Sequence, residues 1–122
     1  NFSTKSMRSS ETGKDAINRA IFNLESKHVA HIQVYGDALE ERLTGQHETC
    51  SINEFRSGES DRGASIRIPV ATSEKGYGYL EDRRPGANSD AYLVSARILV
   101  TICNLDDQLL PQPKEVKEVI HI

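Results

Sequence analysis

Arginines are concentrated in one part of this chain. The segment from 42 to 84 contains a single lysine, Lys75, but six arginines: Arg42, Arg56, Arg62, Arg67, Arg83 and Arg84. A guanidinium binds a carboxylate or a phosphate through two parallel hydrogen bonds, which an ammonium group cannot do. We therefore expect this segment to bind an anionic ligand.

Charged residues also occupy a segment that can form a strand. If 77–83 is extended, alternate side chains point to opposite faces, so Tyr79, Glu81 and Arg83 share one face. A solvated strand whose charges compensate each other has the same pattern, because surface ion pairs are common and contribute little. The alternation therefore predicts which residues lie together but leaves their role open.

A second strand is predicted over 63–69 because apolar and polar residues alternate there. Ala64, Ile66 and Ile68 are expected to face the core, with Ser65 and Arg67 on the other face. An arginine opposite an apolar face either extends to water or points into a polar cleft. A third strand is predicted from Val29, where the apolar residues Ala30, Ile32 and Val34 alternate with His31, Gln33 and Tyr35.

Helical spacing of apolar residues predicts two helices. The first covers about 13–28, and Thr12 with Asp15 resembles a capping box at its start. The second begins after Ser89 or Asp90, either of which can cap it. Its inner stripe consists of Leu93, Val94, Arg97, Ile98, Thr101 and Ile102. The residues 71–76 are interpreted as a polar connector.

The composition excludes several classes of function. A net charge of −3 and a pI near 5.8 give no basic surface for nucleic acid or an anionic membrane. No apolar run of about 18 residues is present, so no membrane span is predicted. The chain starts in a polar run without Met, and we expect it to be part of a longer polypeptide with one domain here.

Metal-binding and disulfide patterns are weak. His28 and His31 are three residues apart across a helix end without a companion carboxylate, so they do not suggest a metal site. The pair His47-Glu48 lacks the second histidine that a zinc protease requires. Cys50 and Cys103 are predicted to be reduced, buried thiols that form no disulfide, in a cytoplasmic protein, with a mitochondrial location as the alternative.

Four blocks of sequence resemble the eukaryotic glutamine synthetases. They are Asn-Phe-Ser-Thr-Lys at 1–5, Arg-Leu-Thr-Gly-Gln-His-Glu-Thr at 42–49, Arg-Gly-Ala-Ser-Ile-Arg-Ile-Pro at 62–69 and Gly-Tyr-Leu-Glu-Asp-Arg-Arg-Pro at 78–85. The resemblance implies an α+β fold with an antiparallel sheet backed by helices. It covers 1–105 as the C-terminal portion of the catalytic domain and leaves 106–122 as a tail, either a short docking helix or unfolded.

The resemblance also implies which residues bind the nucleotide. Asn1, Phe2 and Ser3 would line the nucleotide site, although a polar loop is the simpler interpretation of that run. Tyr79 would pack near the adenine. Arg62 and Arg67 would hold phosphate oxygens.

The remaining site residues are assigned in the same way. Arg42, Arg62 and Arg83 would bind the anionic substrate, and Arg83 would also contact the phosphate being transferred. Glu48 would lie on a flap that closes over glutamate and positions ammonium, unless it is simply an exposed loop carboxylate. Glu48 and Arg83 are thus the catalytic candidates, and Glu81 would bind a divalent metal. Arg84 would brace the site through ion pairs.

The function implied is an ATP-dependent glutamate–ammonia ligase that proceeds through γ-glutamyl phosphate. It would use ATP with Mg²⁺ or Mn²⁺, act on glutamate and ammonium, and form a homo-oligomeric ring in which subunits share sites. These residues alone would be inactive.

Two alternatives remain. The first is a non-catalytic member of the family, suggested by Arg56, by Glu59 to Asp61 and by Val70, where the family pattern is not followed. The second is a generic anion-binding domain, which accounts for the arginines but not for the order of the blocks.

Overall fold

The structure is a computed structural model that describes residues 1–35, 54–59, 61 and 63–110. Four α-helices, three strands and one 3-10 turn are described. They are α1 (Gly13–Ser26), α2 (His28–Ile32), β1 (Ser57–Glu59), β2 (Ile66–Ile68), α3 (Val70–Lys75), β3 (Glu81–Asp82), α4 (Ala91–Ile102) and the 3-10 turn Asp107–Leu109. Within these residues no helix is both long and apolar enough to cross a membrane.

The strands form a mixed sheet in the order β1-β2-β3. β2 and β3 are antiparallel, whereas β1 and β2 are parallel. The predicted α+β class is therefore confirmed, but the prediction of an antiparallel sheet is wrong for β1. Alternation assigns side chains to faces without specifying the direction of the neighbouring strand, so the pattern could not have distinguished the two arrangements.

The main core lies between α1 and the inner face of the sheet. Its buried members are Met7, Ala16, Ile17, Ala20, Leu24, Ile66 and Leu80. Ala64 is buried as predicted, and Ile68 packs partly against the same cluster. Ser65 is also buried, and its carbonyl and hydroxyl both accept hydrogen bonds from residues next to the neighbouring strands. Its carbonyl accepts from the Arg83 N–H at 2.9 Å, and its hydroxyl accepts from the Arg56 N–H at 3.1 Å.

The predicted helix over 13–28 is present as α1, which ends two residues earlier at Ser26. Thr12 is its N-cap residue, but its side chain makes no capping hydrogen bond; the hydroxyl donates to the Ser6 carbonyl instead. Asp15 still lies in the first turn, where a negative charge suits the helix dipole.

Two predictions of local structure are wrong. The segment from Val29 is not a strand, because His28–Ile32 forms α2. The side chains that are buried there are His31 in α2 and Tyr35 just after it, and the two are hydrogen-bonded to each other. The apolar residues that suggested a period of two are less buried. Residues 71–76 are not a connector either, because they form most of α3, which ends at Gly76 with a φ of 82°.

α4 packs against α1 and completes the described fold. Of its predicted inner stripe, Arg97, Ile98 and Thr101 are buried. Cys103 directly follows the helix and is exposed and free, so the prediction that it is buried is wrong. Cys50 lies outside the described residues, as does 111–122 of the predicted tail.

Asp90 rather than Ser89 caps α4. Its carboxylate accepts hydrogen bonds from the backbone N–H groups of Tyr92 and Leu93, at 2.9 and 3.4 Å. The Ser89 hydroxyl instead donates to the Gly86 carbonyl at 2.6 Å within the preceding turn. The cap matters because α4 carries side chains that reach the centre of the molecule.

We predict that Asp90→Ala lowers the free energy of unfolding by about 1 kcal/mol, as the loss of a helix N-cap usually does. The measurement is urea unfolding followed by circular dichroism. Ser95→Ala, at an exposed position within the same helix, is the matched control and should change the stability little. Equal effects of the two substitutions would contradict the capping role.

Candidate functional site

Three of the predicted site residues lie on one face of the sheet. Arg67 in β2 is directly opposite Glu81 in β3 in the antiparallel register, and opposite residues project to the same face. The Arg83 Nε lies 3.3 Å from the Glu81 Oε1, and both side chains are about one third exposed. The result is a partly open face with two guanidinium groups beside one carboxylate, which we call the charged face (Arg67, Glu81, Arg83).

Arg67 has hydrogen-bonding capacity that the described residues do not use. Its Nε atom is buried, yet no acceptor lies within bonding distance among the residues that the structure describes. A guanidinium only donates hydrogen bonds, and buried donors in proteins nearly always have an acceptor. An anion bound beside Arg67 would provide one.

The N-terminal residues lie next to β3. Phe2 and Leu80 exchange two backbone hydrogen bonds of 2.9 and 3.0 Å. Asn1, Phe2 and Ser3 line one wall of a cleft of about 460 Å³, with Asp82 and residues of α4 on other sides. The described lining of this cleft does not include the charged face, so the predicted nucleotide residues and Arg67 do not meet in it.

Tyr79 is held by α3. The Thr72 hydroxyl donates to the Tyr79 carbonyl at 2.8 Å and accepts from the Tyr79 N–H at 3.2 Å. The side chain of Tyr79 is 43% exposed, so its ring is open to contact. The other predicted site residues, Arg42, Glu48 and Arg62, lie outside the described residues.

Behind the charged face lies a buried ion pair between Asp82 and Arg84. Arg84 donates from Nε to Oδ1 and from Nη2 to Oδ2, both at 3.0 Å, and the two side chains are 3% exposed or less. Its Nη1 donates to Nδ1 of His28 at 2.7 Å. The guanidinium also lies 5.2 Å from the ring centroid of Tyr35 and 5.3 Å from that of Phe55. Arg84 thus forms an ion pair behind the site residues, as the sequence predicted.

A chain of hydrogen bonds, not predicted from the sequence, continues from Asp82 into α2 and α4. The Tyr35 hydroxyl donates to the Asp82 Oδ2 at 2.7 Å and is itself bonded to Nδ1 of His31. The other His31 nitrogen, Nε2, lies 2.7 Å from the Thr101 hydroxyl. Arg97 donates to the same hydroxyl at 2.9 Å. We refer to these residues, from Arg97 through Thr101, His31 and Tyr35 to Asp82, as the buried polar chain.

Comparison with known proteins gives the chain its family. It is 53% identical over 102 residues to the chloroplastic glutamine synthetase of Chlamydomonas reinhardtii, covering 84% of this chain. It is 54% identical over 101 residues to glutamine synthetase cytosolic isozyme 1-5 of Arabidopsis thaliana, covering 83% of it. A glutamine synthetase of the fungus Colletotrichum gloeosporioides is 53% identical over 102 residues. The chain belongs to the glutamine synthetase family.

These matches include only part of each relative. The matched region is 27% of the Chlamydomonas protein and 28% of the other two, so the chain spans less than a third of the length of these glutamine synthetases. No family model matched the chain.

The described part of the chain contains few grouped metal-ligand side chains. Among the described residues, no three His, Cys, Asp or Glu side chains are grouped so as to hold a metal ion. Divalent cations such as Mg²⁺ and Mn²⁺ need several oxygen ligands. On the charged face Glu81 can supply one of them, and its carboxylate already contacts Arg83.

Burial keeps His31 and Tyr35 neutral. It is the main cause that lowers the pKa of His31 from 6.5 to about 3, and the positive charge of Arg84 acts in the same direction. Burial also raises the pKa of Tyr35, with the Asp82 carboxylate as the second cause. A neutral His31 has one ring N–H, and since the Tyr35 hydroxyl donates to Asp82, that N–H must be on Nδ1. Nε2 is then free to accept from Thr101.

We predict that His31 makes the stability fall as the pH drops below about 6.5. In this range unfolded His31 takes up a proton, whereas folded His31 does so only near pH 3. The unfolded state therefore binds more protons, and the free energy of unfolding decreases by up to about 1.4 kcal/mol per pH unit. Above 6.5 this contribution is constant.

The variant His31→Gln lacks the titrating group and should show a shallower decrease. Urea unfolding of both proteins at several pH values between about 7.5 and 4.5 measures the difference. The other ionisable groups are common to both proteins and cancel in that difference. Parallel stability curves would show that His31 does not titrate as its burial requires.

Proposed function

We propose that the complete protein to which these residues belong is an ATP-dependent ligase that makes glutamine from glutamate and ammonium. The single observation that carries the proposal is the charged face. In a chain of this family it combines two guanidinium groups, one of them with a buried, unsatisfied Nε among the described residues, around one carboxylate. Such a face suits a reaction whose participants are all anionic except ammonium.

The reaction requires activation of a carboxylate. In the proposed mechanism an oxygen of the glutamate side chain attacks the terminal phosphorus of ATP, and ADP leaves. Ammonia then attacks the carbonyl carbon of the γ-glutamyl phosphate, the C–O bond to phosphate breaks, and a proton is lost from nitrogen. Catalysis of phosphoryl transfer is mainly positioning and neutralisation of charge, so fixed guanidinium groups are well suited to it.

We assign the described residues within this mechanism as follows. Arg67 holds phosphate oxygens of the nucleotide, and Arg83 contacts glutamate and the phosphate in transit. Tyr79 and the segment 1–3 contact the nucleotide base and sugar side of the site. Glu81 is one ligand of Mg²⁺ or Mn²⁺, and the remaining ligands come from outside the described residues.

Three further assignments rest on the resemblance alone. Arg42 and Arg62 bind substrate and phosphate, and Glu48 lies on the flap that positions ammonium. The proposal also includes a ring of identical subunits that share sites.

The main alternative is a non-catalytic member of the family. It was suggested by charges at positions where the family is neutral, including Arg56 and Asp61. These two side chains form an ion pair, with the Arg56 Nε 3.3 Å from the Asp61 Oδ2. Because the two charges largely cancel, they add little net charge beside the site. The observation therefore favours the enzyme over the non-catalytic protein.

We predict that Glu81→Gln in the complete protein lowers the rate of glutamine formation by at least roughly a hundredfold, the usual cost of removing one electrostatic contact to a transition state. Glu81 is partly exposed, and the amide keeps its size, so the melting temperature should not change. Phosphate release and glutamine production are measured with ATP, glutamate, ammonium and magnesium or manganese.

The matched control is Glu74→Gln, which removes an exposed carboxylate on α3 and should leave the rate unchanged. A folded wild-type protein that makes no glutamine would refute the enzyme and favour the non-catalytic alternative. Equal rates for Glu81→Gln and the wild type would refute the role of Glu81.

A further inference from the structure

The orientation of the charged face depends on a very short strand. β3 has two residues, Glu81 and Asp82, and among the strands that the structure describes it pairs with β2 alone. The Arg83 N–H bond to Ser65 and the Phe2–Leu80 bridge add backbone contacts at its ends. Strands usually have about 3 to 10 residues, so few ladder bonds hold the orientation of β3, and its side-chain contacts contribute to it. Twisting would redirect Glu81 and Arg83 together.

Asp82 is the anchor on the opposite face of β3. Because alternate residues of a strand project to opposite sides, the direction of Asp82 determines the direction of Glu81 and Arg83. The Asp82 carboxylate accepts two side-chain bonds from Arg84 and one backbone bond, from the Arg84 N–H at 3.0 Å. Arg84 is only two residues away in sequence, but its Nη1 donates to Nδ1 of His28 at 2.7 Å, so it ties Asp82 to α2 indirectly.

Tyr35 provides a direct bond between Asp82 and a distant part of the chain. Its hydroxyl donates to the Asp82 Oδ2 at 2.7 Å across 47 positions of sequence. The Tyr35 side chain is fully buried and cannot easily change its conformation. Among the described residues, Tyr35 is the only hydrogen-bond partner of the Asp82 carboxylate that lies outside its own strand and the two following residues.

The Tyr35 hydroxyl donates in that bond because a carboxylate only accepts, and the rest of the buried polar chain agrees with this direction. Arg97 can only donate, so Thr101 accepts from it and donates to Nε2 of His31. His31 then donates from Nδ1 to the Tyr35 oxygen, which leaves the Tyr35 proton for Asp82. Every proton points towards β3.

We propose that Tyr35 is a positioning residue whose hydroxyl, by holding Asp82, keeps Glu81 and Arg83 directed towards substrate. The inference rests on the proposed function, because it assigns Tyr35 a role through the charged face. The inference goes beyond the proposed function because it places a determinant of substrate affinity on the opposite side of β3, in a residue that touches no substrate.

A merely stabilising role can be separated from positioning by a second variant. Tyr35→Phe removes only the hydroxyl and retains the ring on which Arg84 lies. Thr101→Val removes another buried hydroxyl of the same chain but leaves all the bonds to Asp82. Tyr92→Phe removes a phenolic hydroxyl from a side chain that is 70% exposed and serves as the control for the chemical change.

The experiment compares the three variants in the complete protein. Steady-state kinetics give the KM for glutamate and kcat, thermal unfolding gives Tm, and hydrogen exchange with mass spectrometry measures the backbone around 80–84. We expect Tyr35→Phe to raise the KM for glutamate at least about fivefold, since small displacements of positioning groups have large effects, and to accelerate exchange in β3. Thr101→Val should lower Tm while leaving the KM and β3 exchange unchanged. Tyr92→Phe should change none of these three quantities.

Two results would overturn the inference. If Tyr35→Phe only lowers Tm, with the KM and β3 exchange of the wild type, its hydroxyl stabilises the fold without positioning the site. If the wild type makes no glutamine, the proposed function is wrong, and hydrogen exchange then tests the anchor alone. Unchanged exchange in β3 of Tyr35→Phe would refute the anchor in that case as well.

Discussion

The buried ion pair between Asp82 and Arg84 is the interaction on which the described structure depends. Two charges with 3% exposure or less have lost almost all contact with water, and each must be compensated by the other and by neighbouring polar groups. Removing one partner of such a pair usually costs about 3 to 5 kcal/mol, because the other is left as an uncompensated buried charge. Tyr35, His28 and Phe55 must therefore be arranged around Arg84 for the pair to be tolerated.

This requirement connects elements that are far apart in the chain. His28 and Tyr35 bring α2 and the turn after it to the inner side of β3, and His31 continues to Thr101 in α4. Arg97 extends the network to Asp107 near the surface, at 2.9 Å. The apolar core between α1 and the sheet provides most of the burial, whereas the polar contacts specify a single arrangement of the helices around β3.

The side chains of β3 and of the two residues after it alternate between the inner and the outer face of the sheet. Asp82 and Arg84 face inward and form the buried ion pair, while Glu81 and Arg83 face outward and are about one third exposed. If the four consecutive charged side chains from Glu81 to Arg84 all pointed to the inner face of the sheet, that face could not pack against the apolar core. Alternation resolves this conflict. It also means that the inner pair can influence the outer one without touching any substrate.

Several features of the chain could be predicted from its sequence. The helical stripes predicted α1 and α4 within two residues, because long apolar periodicities of 3.6 are strong signals. The alternation around Ile66 and around Glu81 correctly placed Arg67, Glu81 and Arg83 opposite the buried residues. The four conserved-looking blocks identified the family, since several matches in the right order rarely arise without common ancestry.

Other features were decided only by the tertiary structure. The direction of β1, the burial of Ser65 and the helical state of α2 depend on neighbours that are distant in sequence. His31 and Tyr35 looked like the polar face of a strand, because a buried polar residue is indistinguishable from an exposed one until its partners are known. Their spacing of four residues was a usable signal for a helix, but the apolar residues between them suggested a period of two. Tyr35 can be buried because it bonds to Asp82, 47 residues away, and His31 because it bonds to Thr101, 70 residues away.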